Sequence, residues 1–167
     1  LNQVKAVSAG DFHSLALRED GTVVSWGLHA SVPATLGGGV AVDGGNRYSL
    51  ALRSDGTVAA WGDNYYGQTN VPPGLSNVVA IAAGTRDCLA LRSDGTVVNW
   101  GYRQSFPAGL PAGLAGVTAV AAGNDFGVAL VGEGPPVLIS TPRPVRAAEG
   151  NTVVFRAEAT GAMPLSY

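Results

Sequence analysis

Charge is what this sequence has least of. Only 13% of its 167 residues are Asp, Glu, Lys or Arg, about half the ~25% usual in a soluble domain, and lysine occurs once, as Lys5. A net charge of −2 gives no electrostatic basis for holding nucleic acid or an anionic membrane surface. Cysteine also occurs once, as Cys88, which excludes an intrachain disulfide and a Cys-based structural zinc site. The 24 Gly and 10 Pro interrupt any long amphipathic helix. Residues 1–5 carry no basic segment followed by an apolar run, so they do not read as a signal peptide. The longest uncharged stretch, 104–124, has the length of a membrane span but contains Pro107, Pro111 and four glycines, and reads as loop and strand. Disorder is excluded by a hydrophobic content of 46% at low net charge.

What the chain has in place of charge is a repeat. AGDFHSLALREDGTVVSWG at 9–27 recurs as GGNRYSLALRSDGTVAAWG at 44–62 and as AGTRDCLALRSDGTVVNWG at 83–101. A fourth copy opens at Ala122 as AGNDFGVALVGEG and then departs from the pattern. Equivalent glycines (Gly10, Gly45, Gly84, Gly123) are 35, 39 and 39 residues apart, whereas Gly and Trp are 16 apart in every full copy. A rigid unit is therefore joined by adjustable linkers. Val4–Ala9, Val78–Ala83 and Val117–Ala122 read as a first strand of small residues. Ser14–Arg18 and Thr22–Trp26 read as a second and third strand joined by an Asp-Gly hairpin turn, repeated at 20–21, 55–56 and 94–95. Val32-Pro33, Val71-Pro72 and Phe106-Pro107 suggest a fourth strand, confined to a sheet edge by its proline. Four antiparallel strands in about 40 residues describe a β-propeller blade, whose innermost strand is crowded and takes small residues.

The pattern A-G-x-x-x-S-L-A-L-R-x-D-G-T-V-x-x-W-G, followed by Asp63-Asn64-Tyr65-Tyr66-Gly67-Gln68, resembles the repeat of the regulator of chromosome condensation family. It is most similar to the short-repeat bacterial branch, which includes protein inhibitors of beta-lactamases. The resemblance covers residues 1–133 and implies a propeller, usually of seven blades. Closure at ~38 residues per blade takes on the order of 270 residues, and the repeats here supply about half. Leu1–Val4 aligns with Leu75–Val78, which predicts a further blade upstream. At the other end Pro135-Pro136 replaces the expected Thr-Val, so the array is expected to stop at 133. Residues 134–167 resemble a linker and the first strands of an immunoglobulin-like domain, with Val153, Phe155, Ala157 and Ala159 alternating on one face. The family's buried strand-B cysteine falls at Ala157, so its intersheet disulfide is absent. The expected fold is thus all-β: three complete four-stranded blades and a partial one, then a truncated immunoglobulin-like β-sandwich.

Repeat equivalence also tests each reactive residue. Cys88 fills the slot of Ser14, Ser49 and Gly127, a small buried position with no base beside it. His13 stands where the other copies carry Tyr48, Asp87 and Phe126, and a lone His in such a place packs more often than it ligates or catalyses. His29 lies in a linker. The Asp-Gly pairs lack calcium-loop spacing and are explained by their turns, and no phosphate-binding glycine motif is present. Trp26, Trp61 and Trp100 recur in phase as inter-blade core. Arg18, Arg53 and Arg92 each neighbour an acid of their own and read as locally compensated. No catalytic, metal or cofactor site is expected.

Variation points elsewhere. After each glycine the copies differ, and Phe12, His13, Arg47, Tyr48, Arg86, Asp87 and Phe126 fall there. The linkers add Tyr65, Tyr66, Tyr102 and Phe106. Variable loops on a constant scaffold are where a repeat protein specialises, and aromatic and Arg side chains are what interface centres favour. These residues are the candidate rim for a protein partner, with carbohydrate as a second ligand class. The expected function is a non-catalytic interaction scaffold in a larger secreted or cell-surface bacterial protein, a localisation implied by the resemblance. Enzyme inhibition, membership of an extracellular hydrolase or lyase, and nucleotide exchange on a small GTPase are the alternatives.

Overall fold

The computed structural model describes residues 2–28, 31–102, 110–124, 126–132 and 137–138. His29, Phe106-Pro107 and all of the expected immunoglobulin-like segment 134–167 except Val137 and Leu138 lie outside them. The described residues form four antiparallel sheets. The first contains β1 (Val4–Ala9), β2 (His13–Arg18) and β3 (Val23–Gly27). The second contains β4 (Gly39–Gly44), β5 (Tyr48–Arg53) and β6 (Val58–Gly62), and the third β7 (Val78–Ala83), β8 (Asp87–Arg92) and β9 (Val97–Gly101). The fourth contains β10 (Val117–Ala122), β11 (Gly127–Val131) and β12 (Val137–Leu138). The Leu-Ala-Leu strand lies in the middle of the first three sheets.

The first two sheets have three strands where four were expected, and the third has three among the described residues. Val32 and Val71 do not join a ladder. The proline beside each begins a turn, closed by Leu36 N–H to Pro33 C=O at 2.9 Å and by Leu75 N–H to Pro72 C=O at 3.1 Å. The turn tucks its leucine under the sheets, and Leu75 is buried. In the third linker this turn is Pro111 to Leu114 (3.2 Å), one proline later than the spacing suggested. β12 pairs with Val128 and Ala129 of β11, which carries the fourth sheet past the boundary expected at 133.

The hairpin between middle and outer strands is the same three times. Gly21 N–H bonds Arg18 C=O (3.0 Å) and Arg18 N–H bonds Thr22 C=O (2.9 Å), leaving a three-residue loop. Its glycine takes the positive φ (+80° at Gly21, +77° at Gly56, +78° at Gly95), whereas Asp does not. Asp-Gly is therefore not the central pair of a two-residue turn; Gly forms the bulge that follows the turn. Asp stabilises the loop by accepting from the N–H and hydroxyl of the next Thr, at 2.8 and 2.7 Å for Asp20 and Thr22. Those bonds, led by the Thr hydroxyl, hold Asp20, Asp55 and Asp94 below the usual carboxylate range.

Adjacent sheets stack face to face, and the core lies between them. Leu15 of the first sheet packs with Ala51 and Trp61 of the second. Leu50 packs with Cys88, Ala90 and Trp100 of the third, and Leu89 with Val120 and Ala129 of the fourth. A leucine face thus meets an Ala-Trp face at the first two seams and a Val-Ala face at the third. Trp61 and Trp100 are buried as expected, but Trp26 is 46% exposed because no described sheet covers the Ala-Trp face of the first. Main-chain bonds tie the seams at the hairpin end: Gly39 N–H to Gly21 C=O (3.0 Å), Val78 N–H to Gly56 C=O (3.0 Å) and Val117 N–H to Gly95 C=O (3.3 Å).

Candidate functional site

The loop from first to middle strand and the segment leaving the outer strand emerge at one end of every blade. The strand order brings the candidate residues of successive blades to that end. It then divides them. The third residue after each glycine begins the middle strand and turns inward. His13, Tyr48 and Asp87 are buried, and Phe126 is half-buried over Gly123. None of the four belongs to an exposed rim, and His13 and Tyr48 staple adjacent blades. His13 Nε2 shares a 2.8 Å hydrogen bond with Ser49 Oγ of the next blade. The Tyr48 hydroxyl donates to the Gly84 and Asp87 carbonyls (2.9 and 2.7 Å) and lies 3.5 Å from Cys88 Sγ. Burial raises the Tyr48 phenol well above its ordinary value and pushes the Cys88 thiol up as well, so Cys88 is a packed thiol, as its repeat position implied.

The residue before each staple faces out. Phe12 and Arg47 are exposed, and Arg86 is half-buried. Arg47 Cζ lies 5.0 Å from the centre of the Phe12 ring. Arg86 Cζ lies 5.2 Å from Tyr66 and 5.5 Å from Tyr102, within cation–π range of both. Tyr66 meets Tyr65 and Tyr102 edge to face, with ring centres 4.9 and 4.8 Å apart. Tyr65 is 83% exposed. Six of the candidates therefore form one strip across the first three blades, and Phe106 lies outside the described residues.

Two clefts flank Tyr66. One, of about 410 Å³, is lined by Asn46, Arg47, Asp63, Tyr65, Thr85 and Arg86 among others. The other, of about 450 Å³, lies towards Asn70, Asn99, Trp100 and Tyr102. The loop of Asp63 to Asn70 that separates them is internally bonded, with Asn64 Oδ1 accepting from Thr69 N–H and Asn64 Nδ2 donating to Asn70 Oδ1, both at 2.9 Å. Gln68, buried beneath it, accepts the Trp100 indole N–H at its carbonyl (2.8 Å).

One residue of note escaped the sequence. Asp43, on β4, accepts from Ser8 Oγ (2.9 Å), its neighbour Gly44 N–H (3.0 Å) and Ala83 N–H (2.8 Å), and so joins the first three sheets. Burial outweighs these bonds and raises its carboxyl above the ordinary value. Its repeat counterparts are Ser8, Ala82 and Ala121, and the lone acid among small residues was the available signal. Among the described residues, no group of three or more His, Cys, Asp or Glu is arranged to hold a metal ion. None of their helices is long and apolar enough to cross a membrane, which says nothing of a β-barrel.

Residues 4–30 and 40–68 match the family model for the regulator of chromosome condensation (RCC1) repeat. No curated protein matches the chain. Among solved structures, the ectodomain of the receptor kinase CR4 from Physcomitrella patens is similar with a TM-score of 0.74 and 25% identity, over 84% of this chain and 42% of that one. Prp20p from Saccharomyces cerevisiae gives 0.67 and 23%, over 80% and 44%. The CRINKLY WD40 ectodomain of the Arabidopsis thaliana receptor kinase ACR4 gives 0.67 and 22%, over 85% and 52%. The chain spans about half the length of these proteins or less. Segments 4–30 and 40–68 are thus similar to the regulator of chromosome condensation repeat, and the described sheets are similar in fold to RCC1-like β-propellers.

Proposed function

We propose that this chain is a non-catalytic protein-interaction module that binds its partner through the strip of Phe12, Arg47, Tyr65, Tyr66, Arg86 and Tyr102. The observation that carries the reading is that strip. Aromatic and arginine side chains from three blades meet at the variable end of an otherwise constant scaffold, in contact with one another, with Phe12, Arg47 and Tyr65 exposed and Tyr66, Arg86 and Tyr102 half-buried. Rigid aromatics and Arg carry most of the energy of protein interfaces, because they bury large area at little entropic cost. Prp20p, which is similar in fold, has binding properties towards Gsp1p and histones, which supports a binding role for the architecture without naming a partner here. Resemblance to the short-repeat bacterial branch supports a setting in a larger secreted or surface protein. Enzyme inhibition is a special case of the same surface.

The test uses the full-length protein. Proximity labelling identifies its partner, and each of the six residues is then changed to Ala. At least one substitution is expected to weaken the complex by about tenfold or more, as a buried interface anchor does. An unchanged affinity in all six would overturn the assignment.

A further inference from the structure

The cleft on the Arg47 side of Tyr66 is more specific in its chemistry than the strip as a whole. Its walls come from three loops: Asn46 and Arg47 between β4 and β5, Asp63 to Tyr66 after β6, and Thr85 and Arg86 between β7 and β8. Both arginines line it, and Asp63 is the carboxylate among its described lining residues. Both guanidinium groups lie within cation–π distance of aromatic rings, Arg47 of Phe12 and Arg86 of Tyr66 and Tyr102. A guanidinium packed beside an aromatic ring still has its fork of N–H donors, which matches the two oxygens of a carboxylate. Arg47 makes no ion pair with another described residue. Its backbone is also unusual: φ is +69°, a conformation that costs a non-glycine residue energy and is retained where the surroundings enforce it. Here the Arg47 carbonyl accepts Asp63 N–H at 2.9 Å, which ties the strained residue to the opposite wall of the cleft.

We propose that this cleft receives the side chain of an Asp or Glu residue of a protein partner, with Arg47 and Arg86 holding the carboxylate and Tyr65 and Tyr66 covering the adjoining backbone. The inference rests on the interaction-module reading above and adds the chemistry of the residue recognised. Two forks in a cleft of about 410 Å³ suit one planar anion. A phosphate polymer needs a longer track of cations, and the chain as a whole carries a net charge of −2. The tyrosines supply the apolar shoulder that a peptide backbone meets and that a free inorganic anion does not use.

Panning a random-sequence peptide library displayed on phage against the full-length protein tests this. Enriched peptides are expected to share an Asp or Glu. Their affinity is expected to fall about tenfold or more on Arg47→Gly or Arg86→Ala, and to weaken with added salt. Arg47→Gly suits the positive φ, so a loss there is not a folding defect, and Arg47→Lys should restore only part of the binding because it keeps the charge without the fork. Enriched peptides without acidic residues, or acidic peptides indifferent to both arginines, would overturn the carboxylate assignment while leaving the interaction reading in place. Failure to enrich any peptide, with saturable binding of a heparin hexasaccharide instead, would overturn both in favour of a sulfated glycan.

Discussion

Four aspartates accept several hydrogen bonds each, yet burial divides them. Asp20, Asp55 and Asp94 sit at the surface with their carboxyls held low by Thr22, Thr57 and Thr96. The stability they add is complete above the ordinary carboxylate range, about pH 4, and is lost as pH falls through their lowered values. Asp43 has the opposite sign. Its carboxyl is raised by burial, so just above that range the folded chain holds a proton that the unfolded chain has released, and stability falls as pH rises across the window. Urea unfolding measured against pH should show both. Replacing the three turn aspartates with Asn is expected to flatten the acid limb below about pH 4, and Asp43→Asn to remove the decline above it. Only the first group was legible in the sequence, because Asp-Gly-Thr repeats while Asp43 does not. The same limit explains the divided rim. Phe12 and His13 are neighbours in a variable stretch, but only the second begins a strand and faces the next blade. Nothing in residue type separates Arg47, which points out, from Tyr48, which points in. A fixed offset of one residue before the small slot of Ser14, Ser49 and Cys88 does.

At the scale of elements, the strands of the repeat were readable almost residue by residue, since small-residue, Leu-Ala-Leu and Val-rich runs each have their own place in the sheet. The connections were less so. The hairpin glycine was recognised, but its place as the bulge after the turn depends on which carbonyl Gly21 N–H finds. The proline segments were read as edge strands, whereas the Pro-x-x-Leu turn satisfies its own backbone and delivers a leucine to the seam. Gly56 shows how tightly such connections are fitted. It combines φ +77° with a site where a Cβ would lie 3.2 Å from the Asn77 nitrogen of the next blade. Gly56→Ala is therefore expected to cost about 1–2 kcal/mol through left-handed strain alone, with further loss if the seam opens. Thermal unfolding beside the wild-type chain measures it, and an unchanged midpoint would mean that the turn relaxes without cost.

Across the whole molecule, position in the stack decides what a residue is worth. Trp26 and Trp61 occupy the same place in their repeats, but Trp61 is 6% exposed against the leucine face of the preceding blade and Trp26 is 46% exposed. Trp61→Ala should destabilise the chain by about 3–5 kcal/mol, as truncation of a core tryptophan does. Trp26→Ala should change the stability of this 167-residue chain by about 0.5 kcal/mol or less, the range of surface substitutions. Urea denaturation of both variants tests the contrast, and equal losses would mean that the first blade's outer face is covered in solution. The seam bonds from Gly39 to Gly21, Val78 to Gly56 and Val117 to Gly95 run from main chain to main chain. Such a joint takes no account of the side chains on either side of it. A gene that copies one period of 35 or 39 codons thus inserts a blade whose joints already fit both neighbours. Lineages can gain or lose blades by whole units, because the joints travel with the copied backbone.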